Sequence, residues 1–297
     1  MIYRSLYIDK IKPFINKPVI KIITGMRRTG KSYFLKQIIQ ELLKTGVAKE
    51  NILYINKESM EYDFIQNYRH LYDYIAGKYS GISGPKYLFV DEIQEIEGWE
   101  RTINSFLTDE DTDIYITGSN AHLLSSELAT LISGRYIQFP VYALSFKEFL
   151  LFRGDKCRGH DEEFQNYLRF GGLPGIHHFE LAEDTVYQYI QSIYDTILLK
   201  DIIKRNNIRH VHTLENVNKY VFDNIGNIFS AKKLADYLKS QRLKVGVETV
   251  QNYINHLLTT YAAYKVQRYD IKGKRILEIY EKYFMGDLGM RHSLLSY

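Results

Sequence analysis

Residues 20–36 read IKIITGMRRTGKSYFLK, and this stretch decides the fold. Within it, Gly25 to Ser32 fits G-x-x-x-x-G-K-[ST] without a mismatch. The run before it, Val19, Ile20, Ile22 and Ile23, is apolar and β-branched, as a strand buried on both faces is. The run after it, Tyr33, Phe34, Leu35, Ile38, Ile39, Leu42 and Leu43, recurs at helical spacing. Strand, glycine loop and helix in that order make a phosphate-binding loop. Gly25 and Gly30 let backbone N–H groups turn inward to line an anion nest. The helix starting near Lys31 points the positive end of its dipole at the bound phosphates. Lys31 is expected to reach the β- and γ-phosphates, and the Ser32 hydroxyl to ligate Mg²⁺. Arg27, Arg28, Thr29 and Tyr33 complete the expected nucleotide-contacting set.

The acidic half of such a site is expected at the end of another buried strand. Tyr87–Val90 (YLFV) is apolar throughout and runs directly into Asp91-Glu92-Ile93-Gln94. Asp91 is expected to hold Mg²⁺ through its water shell, and Glu92 to act as general base on the attacking water. The alternative reading has both acids capping the next helix, where acids suit the first turn. Asp113–Thr117 (DIYIT) is a further strand ending in Gly118-Ser119-Asn120. Asn120, or failing it Ser119, is expected to touch the γ-phosphate or the lytic water; either could instead cap a helix beginning near Ala121. Arg135 follows Ser133-Gly134 and is read as a charge donor to the transferring phosphoryl group, in cis or in trans.

Working outward, strands Val19–Thr24, Asn51–Asn56, Tyr87–Val90, Asp113–Thr117 and Tyr136–Val141 alternate with helices. That alternation implies a parallel sheet with its ligand at the C-terminal ends of the strands. Residues 57–84 are read as one packed helix, ended by Gly81 and Gly84-Pro85. Ser145 and Glu148 form a capping box that opens a helix through Phe152. Residues 154–163 are read as a surface loop, Phe164–Phe170 and Glu183–Lys200 as helices, and Asp201–His212 as a basic linker.

The chain has 297 residues and a net charge of +4, unevenly spread. From Lys200 onward, 17 Lys/Arg stand against 9 Asp/Glu, an excess of +8, whereas the first 199 residues carry −4. A basic back and an acidic front suggest different partners, although a solvated basic face is the plainer account. Leu214–Ile225, Lys232–Lys239 and Val250–Thr260 read as three helices, and residues 264–269 and 275–280 as a hairpin around Asp270–Lys274. Three helices and a hairpin make a winged helix, which serves either duplex DNA or protein contact. Its expected phosphate contacts are Lys232, Lys239, Arg242, Lys244, Arg268, Lys272, Lys274 and Arg275. Gln251, Asn252 and Asn255, on the third helix, are expected to read bases.

No run of about 18 apolar residues is present, so no membrane span is expected. The start MIYRSLYIDK is too charged for a signal peptide. Cys157 is the single cysteine, which excludes an intrachain disulfide and a cysteine metal cluster. These features suit a cytoplasmic protein. His210 and His212 lack carboxylate partners in sequence, so they are not read as metal ligands, and His177-His178 are read as surface or helix-edge residues.

The series GMRRTGKS, YLFVDEIQ, ITGSN, LISGR, ALSFKEFL and FGGLP, in that order, resembles a prokaryotic AAA-type P-loop ATPase family, AAA_14/DUF4143-like. The resemblance spans nearly the whole chain. It implies an ATP-binding α/β core with Mg²⁺, an attached winged helix, and often a C-terminal nuclease-like domain. That last domain would begin near Tyr297, and its acid-acid-lysine constellation is not seen, so the chain is read as a member lacking it. The expected layout is a P-loop ATPase domain over 1–152, a helical lid or linker over 153–210 and a winged helix over 211–297. The expected activity is Mg²⁺-dependent ATP hydrolysis whose nucleotide state controls the winged helix, with duplex DNA, a second copy or a protein as partner. A nucleotide-gated DNA-binding regulator with little turnover, and a small-molecule kinase, are the alternatives.

Overall fold

The computed structural model describes residues 2–109, 112–119, 134–243, 245–271, 273 and 275–296. Strand β1 is Ile20–Thr24, and all five of its residues are buried. With β2 (Ile52–Asn56), β3 (Lys86–Asp91), β4 (Thr112–Gly118) and β5 (Tyr136–Pro140) it forms one sheet in the order β2-β3-β4-β1-β5. Every neighbouring pair is parallel. The chain leaves β1 for one side of the sheet, and β5 later returns on the other side of β1. In open parallel sheets that reversal of strand order is where ligands bind, at the C-terminal end of β1.

Period-two alternation sends the strand residues to two cores. On one face Ile23, Phe89 and Tyr115 pack with α1 (Ser5–Ile11) and with Phe34, Leu35, Ile38 and Leu42 of α2 (Lys31–Lys44). On the other, Ile22, Leu88, Val90, Ile114 and Ile116 pack with α3 (Tyr68–Tyr79) and α4 (Trp99–Asp109). A buried ion pair also joins two of these strands. Lys21 is fully buried and pairs with Asp113, which also accepts from Tyr115 Oη (2.8 Å) and the Asn16 backbone N–H (2.8 Å). Burial lowers the Lys21 pKa, and the Asp113 carboxylate opposes that shift.

The helix expected over 57–84 is shorter. Asn67 accepts from the backbone N–H groups of Arg69 and His70, and this cap starts α3 at Tyr68, well after residue 57. Before it, the chain makes only a 3₁₀ turn at Met60–Tyr62, tied down by Lys57 Nζ donating to the carbonyls of Tyr62 and Ile65.

The chain packs as two compact units. The first is Met1–Gly25 with Gly30–Val141; the second is Tyr142–Tyr297 together with the loop tip Met26–Thr29. The second unit opens with α5 (Phe146–Arg153), whose capping box of Ser145 and Glu148 is formed. Residues 154–163 are not a plain surface loop. A 3₁₀ turn (Gly154–Lys156) leads into α6 (His160–Phe170), and a buried pair joins Arg153 Nε to Glu163 Oε2 at 3.0 Å. Polar composition hid this, because the ion pair is what makes the charges compatible with burial.

Helix α7 (Glu183–Thr196) continues as a π-helical turn, Ile197–Lys204. The basic linker expected over Asp201–His212 is therefore structured at its start, where Asp201 and Ile202 are buried. Then come α8 (Val211–Asp223), α9 (Ala231–Ser240) and α10 (Val247–Thr259), followed by antiparallel β6 (Ala263–Asp270) and β7 (Arg275–Met285). Ser230 caps α9 through the Lys233 N–H. A last helix, α11 (Leu288–Leu295), was not expected from the sequence. Its cap residue, Asp287, is buried and accepts from Met290 N–H (3.0 Å) and, across the unit, from Gly172 N–H (2.7 Å). The FGGLP segment is thus built for packing. A Cβ on Gly172 would collide with the Leu144 carbonyl, and one on Gly171 with the Asp287 carboxylate.

Candidate nucleotide site

The loop after β1 adopts the conformation its glycines permit. Gly25 (φ 144°), Arg28 (φ 65°) and Gly30 (φ 99°) all have positive φ. A Cβ on Gly30 would meet nothing within 4 Å, so backbone conformation and not crowding calls for glycine there. Gly30 is the N-terminal cap position of α2, whose first residue is Lys31. The Lys31 side chain is buried and turns back over the loop, donating from Nζ to the Gly25 carbonyl at 3.0 Å. Thr29 is buried and donates its hydroxyl to the Met26 carbonyl at 2.9 Å, which holds the turn. Ser32 is half-buried, whereas Arg28 and Tyr33 are exposed.

The acidic pair ends β3 two strands away and reaches the same end of the sheet. Lys31 Nζ lies 3.9 Å from Glu92 Oε1. Asp91 and Glu92 are both buried. Glu92 sits in the left-handed region at φ 57°, a conformation that costs a non-glycine residue on the order of 1 kcal/mol or more. The rest of the site over-determines that turn. The Glu92 N–H donates to Thr117 Oγ1 (2.9 Å), Ser119 Oγ donates to Glu92 Oε2 (3.2 Å), and Gln94 Nε2 also donates to Oε2. The cap reading of the acids is not met here: Glu92 makes no side-chain cap bond to the short 3₁₀ turn that follows it. Asp91 receives two donors, the Thr117 hydroxyl at Oδ1 and the Tyr54 hydroxyl at Oδ2 (3.0 Å). Burial first, and the Asp91 charge second, push the Tyr54 pKa well up, so this phenol stays a donor.

Lys31, Asp91, Glu92 and Ser119 are therefore brought together, and other expected residues are not. Arg135 sits at the opposite end of the sheet. Its carbonyl accepts from the Ile20 N–H at the start of β1, and its guanidinium donates to Thr108 Oγ1 at 3.0 Å. A parallel strand advances about 3.3 Å per residue, so the length of β1 separates Arg135 from the loop and a role in cis is ruled out. Arg27 turns to Asp201, with Nε–Oδ2 at 2.6 Å and Nη2–Oδ1 at 3.0 Å. Asn120 lies outside the described residues, as do Lys244, Lys272 and Lys274.

Thr117, Tyr54 and Gln94 escaped the sequence reading. For Thr117 the signal was available, since a hydroxyl closing the apolar run Ile114–Ile116 of a buried strand has to find a partner. His177 and His178 end the 3₁₀ helix Pro174–His178, the helix-edge placement expected, with His178 exposed and His177 half-buried. His177 packs between the rings of Phe149 and Phe152, with centroids at 4.7 and 5.4 Å. Its two ring nitrogens have no hydrogen-bond partner among the described residues. Burial, helped by Arg153, brings its pKa down to about 4. Among the described residues no His, Cys, Asp and Glu group could hold a metal by itself, and no helix is long and apolar enough to cross a membrane.

A parallel five-stranded sheet with a phosphate-loop helix at its centre defines a P-loop protein of AAA type. Residues 17–150 match the AAA_14 model, described as an AAA domain, and residues 161–297 match a domain of unknown function, DUF8612. An uncharacterized protein of Haemophilus influenzae is 38% identical over 299 residues, covering 100% of this chain and 74% of that protein. Uncharacterized protein MJ1544 of Methanocaldococcus jannaschii is 31% identical, covering 97% of this chain and 64% of that one. The chain belongs to the AAA_14 family of P-loop AAA-type proteins. Membership implies nucleotide binding. Among solved structures, the Aeropyrum pernix ORC1 protein in complex with DNA aligns at a TM-score of 0.40 and 12% identity, over 100% of this chain and 93% of that one. Cdc6p from Pyrobaculum aerophilum aligns at 0.40 and 11%, over 98% and 92%. Likeness at that level carries nothing about partners.

Proposed function

We propose that this chain binds ATP with Mg²⁺ at Gly25–Ser32 and hydrolyses it, and that its nucleotide state governs a basic winged-helix module. The observation that carries this reading is the convergence of Lys31 with Asp91 and Glu92 at the C-terminal ends of β1 and β3. The residues fit a hard cation and a polyphosphate. Two buried carboxylates and the half-buried Ser32 hydroxyl supply oxygen donors, as Mg²⁺ prefers. The loop's positive-φ residues open its N–H groups into a nest for anions.

On this reading Ser32 and Asp91 hold the metal, which when bound neutralises charge on the phosphates. Lys31 gives up the Gly25 carbonyl for the β- and γ-phosphates. The Arg28 guanidinium at the loop tip is free to reach the phosphates, and Tyr33 offers its ring at the mouth of the loop. Glu92, fixed by Ser119 and Gln94, takes the proton from the water that attacks the γ-phosphorus. The ADP oxygen leaves as the new P–O bond forms. An arginine in cis has no place in this site, so Arg135 would serve only across to another molecule.

The proposed layout is an ATPase core over 1–152, a helical segment over 153–210 and a winged helix over 211–297, whereas the compact units divide at Val141. Support for the last is the order of three helices and a hairpin, with Lys232, Lys239, Arg242, Gln251, Asn252 and Asn255 all exposed.

Two variants test the ATPase. Lys31→Ala should lose at least about tenfold in ATP affinity by calorimetry, equal to 1.4 kcal/mol. Glu92→Gln should keep ATP binding and lose phosphate release by about a hundredfold or more, the usual worth of a general base. Unchanged turnover in Glu92→Gln would assign the base elsewhere.

A further inference from the structure

Strand parity puts Tyr54 and Asp91 on one face of the sheet. In the β2–β3 register Tyr54 stands opposite Phe89 and Asn56 opposite Asp91, so Tyr54 is the diagonal neighbour of Asp91. With strands about 4.8 Å apart and a rise of about 3.3 Å per residue, such a diagonal is about 8 Å at the backbone, within reach only of a long side chain. A tyrosine spans the gap with its ring and ends it with a donor, and the contact is made at 3.0 Å. The ring packs among the partly buried members of the core beneath α2. Its neighbour Tyr62 donates to the Tyr54 carbonyl at 3.0 Å, which ties this strand position from a second side.

The geometry points to Tyr54 as the positioning residue of the Asp91 carboxylate. The inference rests on the nucleotide-site reading above. A carboxylate in a buried crevice can rotate about its last bond, and each rotamer offers different lone pairs to a cation. Thr117 holds Oδ1 and Tyr54 holds Oδ2, so both oxygens are fixed and their remaining lone pairs have one direction. Outer-shell donors of this kind tune how strongly a ligating carboxylate serves its metal. Tyr54 thereby sets the Mg²⁺ requirement of the site, while the grip on the phosphates belongs to Lys31 and the loop amides.

The test is ATP binding to the full chain by calorimetry, first with metal chelated and then across a Mg²⁺ titration. Tyr54→Phe removes one oxygen and, because the buried Asp91 Oδ2 loses a donor, should fold but melt a few degrees below the wild type. It should bind metal-free ATP within about twofold of wild type, while the Mg²⁺ concentration giving half of the affinity gain rises about tenfold or more. Tyr54→Met, which also lacks the hydroxyl, must move that midpoint in the same direction. Lys31→Ala runs beside them and should lose affinity with and without metal. An unshifted Mg²⁺ midpoint in Tyr54→Phe, with Lys31→Ala weakened, overturns the role of Tyr54 alone. So does a wild type whose ATP affinity ignores Mg²⁺. Full ATP affinity in Lys31→Ala overturns the site itself.

Discussion

Arg27, at the tip of the phosphate loop, lays its guanidinium in a two-pronged pair on Asp201, 174 residues further along the chain. Asp201 is almost fully buried and Arg27 is 14% exposed. Two parallel N–H···O bonds give the pair direction as well as attraction. The π-helical turn Ile197–Lys204 presents the acid, and such turns interrupt a helix at a structural cost. Removing one partner of a buried pair leaves the other charge uncompensated. Asp201→Ala should therefore lower stability by at least about 2 kcal/mol, read as a melting-temperature drop of several degrees, and Asp201→Asn by less because the amide keeps an acceptor. Because Asp201 already engages its guanidinium, Arg27→Ala should cost less ATP affinity than Lys31→Ala. Equal losses in the two variants would make Arg27 a phosphate ligand.

The lock between FGGLP and the last helix gives a second expectation. Gly172 presses on the Leu144 backbone and donates to Asp287, so a methyl group has nowhere to go without moving main chain. Gly172→Ala should destabilise by more than the about 1 kcal/mol typical of point changes, in denaturant midpoint with an unchanged slope. Gly46→Ala, at an uncrowded positive-φ position, isolates the cost of conformation alone. A Gly172→Ala midpoint no lower than that of Gly46→Ala would show that the segment is looser than its packing.

Half-buried His177 and buried Asp287, both in the second unit, respond to acid with opposite sign. His177 has a pKa brought down to about 4 by burial, with Arg153, His178 and Lys156 lowering it further and Glu163 opposing them. The unfolded chain takes up this proton below its ordinary value of 6.5, whereas the folded chain resists until about 4. Stability is therefore lost as pH falls through that window. Asp287 has a pKa pushed up to about 6 by burial against its backbone donors, from 3.8. Its contribution is present below about 4 and is lost as pH rises through 6. Melting curves from pH 7 to 4.5 should show His177→Leu less acid-sensitive than wild type and Asp287→Asn more so. Parallel slopes in all three proteins would remove both assignments.

What was legible in the sequence was local. The glycine loop, the strand into Asp91-Glu92 and the Ser145 capping box each announce themselves within a few residues, and all are found. What was not legible depends on partners far along the chain. Asp201 reads as a linker acid until Arg27 is beside it, Glu163 as a solvated acid until Arg153 is, and Tyr54 as core until Asp91 is found 37 residues on. For Arg135 the signal was there: it precedes the strand Tyr136–Pro140 and so stands at the N-terminal end of a parallel sheet, away from the loop, which excludes the reading in cis and leaves the one in trans. The turn before Tyr68 was lost because aromatic spacing resembles a helix, while the Asn67 cap sets its true start.

The excess of +8 after residue 199 attracts any polyanion, and attraction to phosphates carries no sequence information. If the three-helix and hairpin module binds duplex DNA, log affinity should fall linearly with log salt, by about 0.9 per phosphate neutralised. Lys232, Lys239 and Arg242 are exposed, and changing all three to Ala should weaken binding to every sequence alike and flatten the slope by up to about three units. Gln251, Asn252 and Asn255 are exposed on the third helix of that module, between the buried Val250, Tyr253 and Ile254. Amides pair with adenine edges, so their replacement by Ala should relax discrimination between sequences by about 1–3 kcal/mol per lost pair and leave the salt slope alone. Fluorescence anisotropy with labelled duplex, with and without ATP, reads both quantities. Absence of binding at about 50 mM salt, where non-specific attraction is strong, would leave a protein partner as the business of this module, because a basic face that ignores DNA at low salt has nothing to gain from DNA at higher salt.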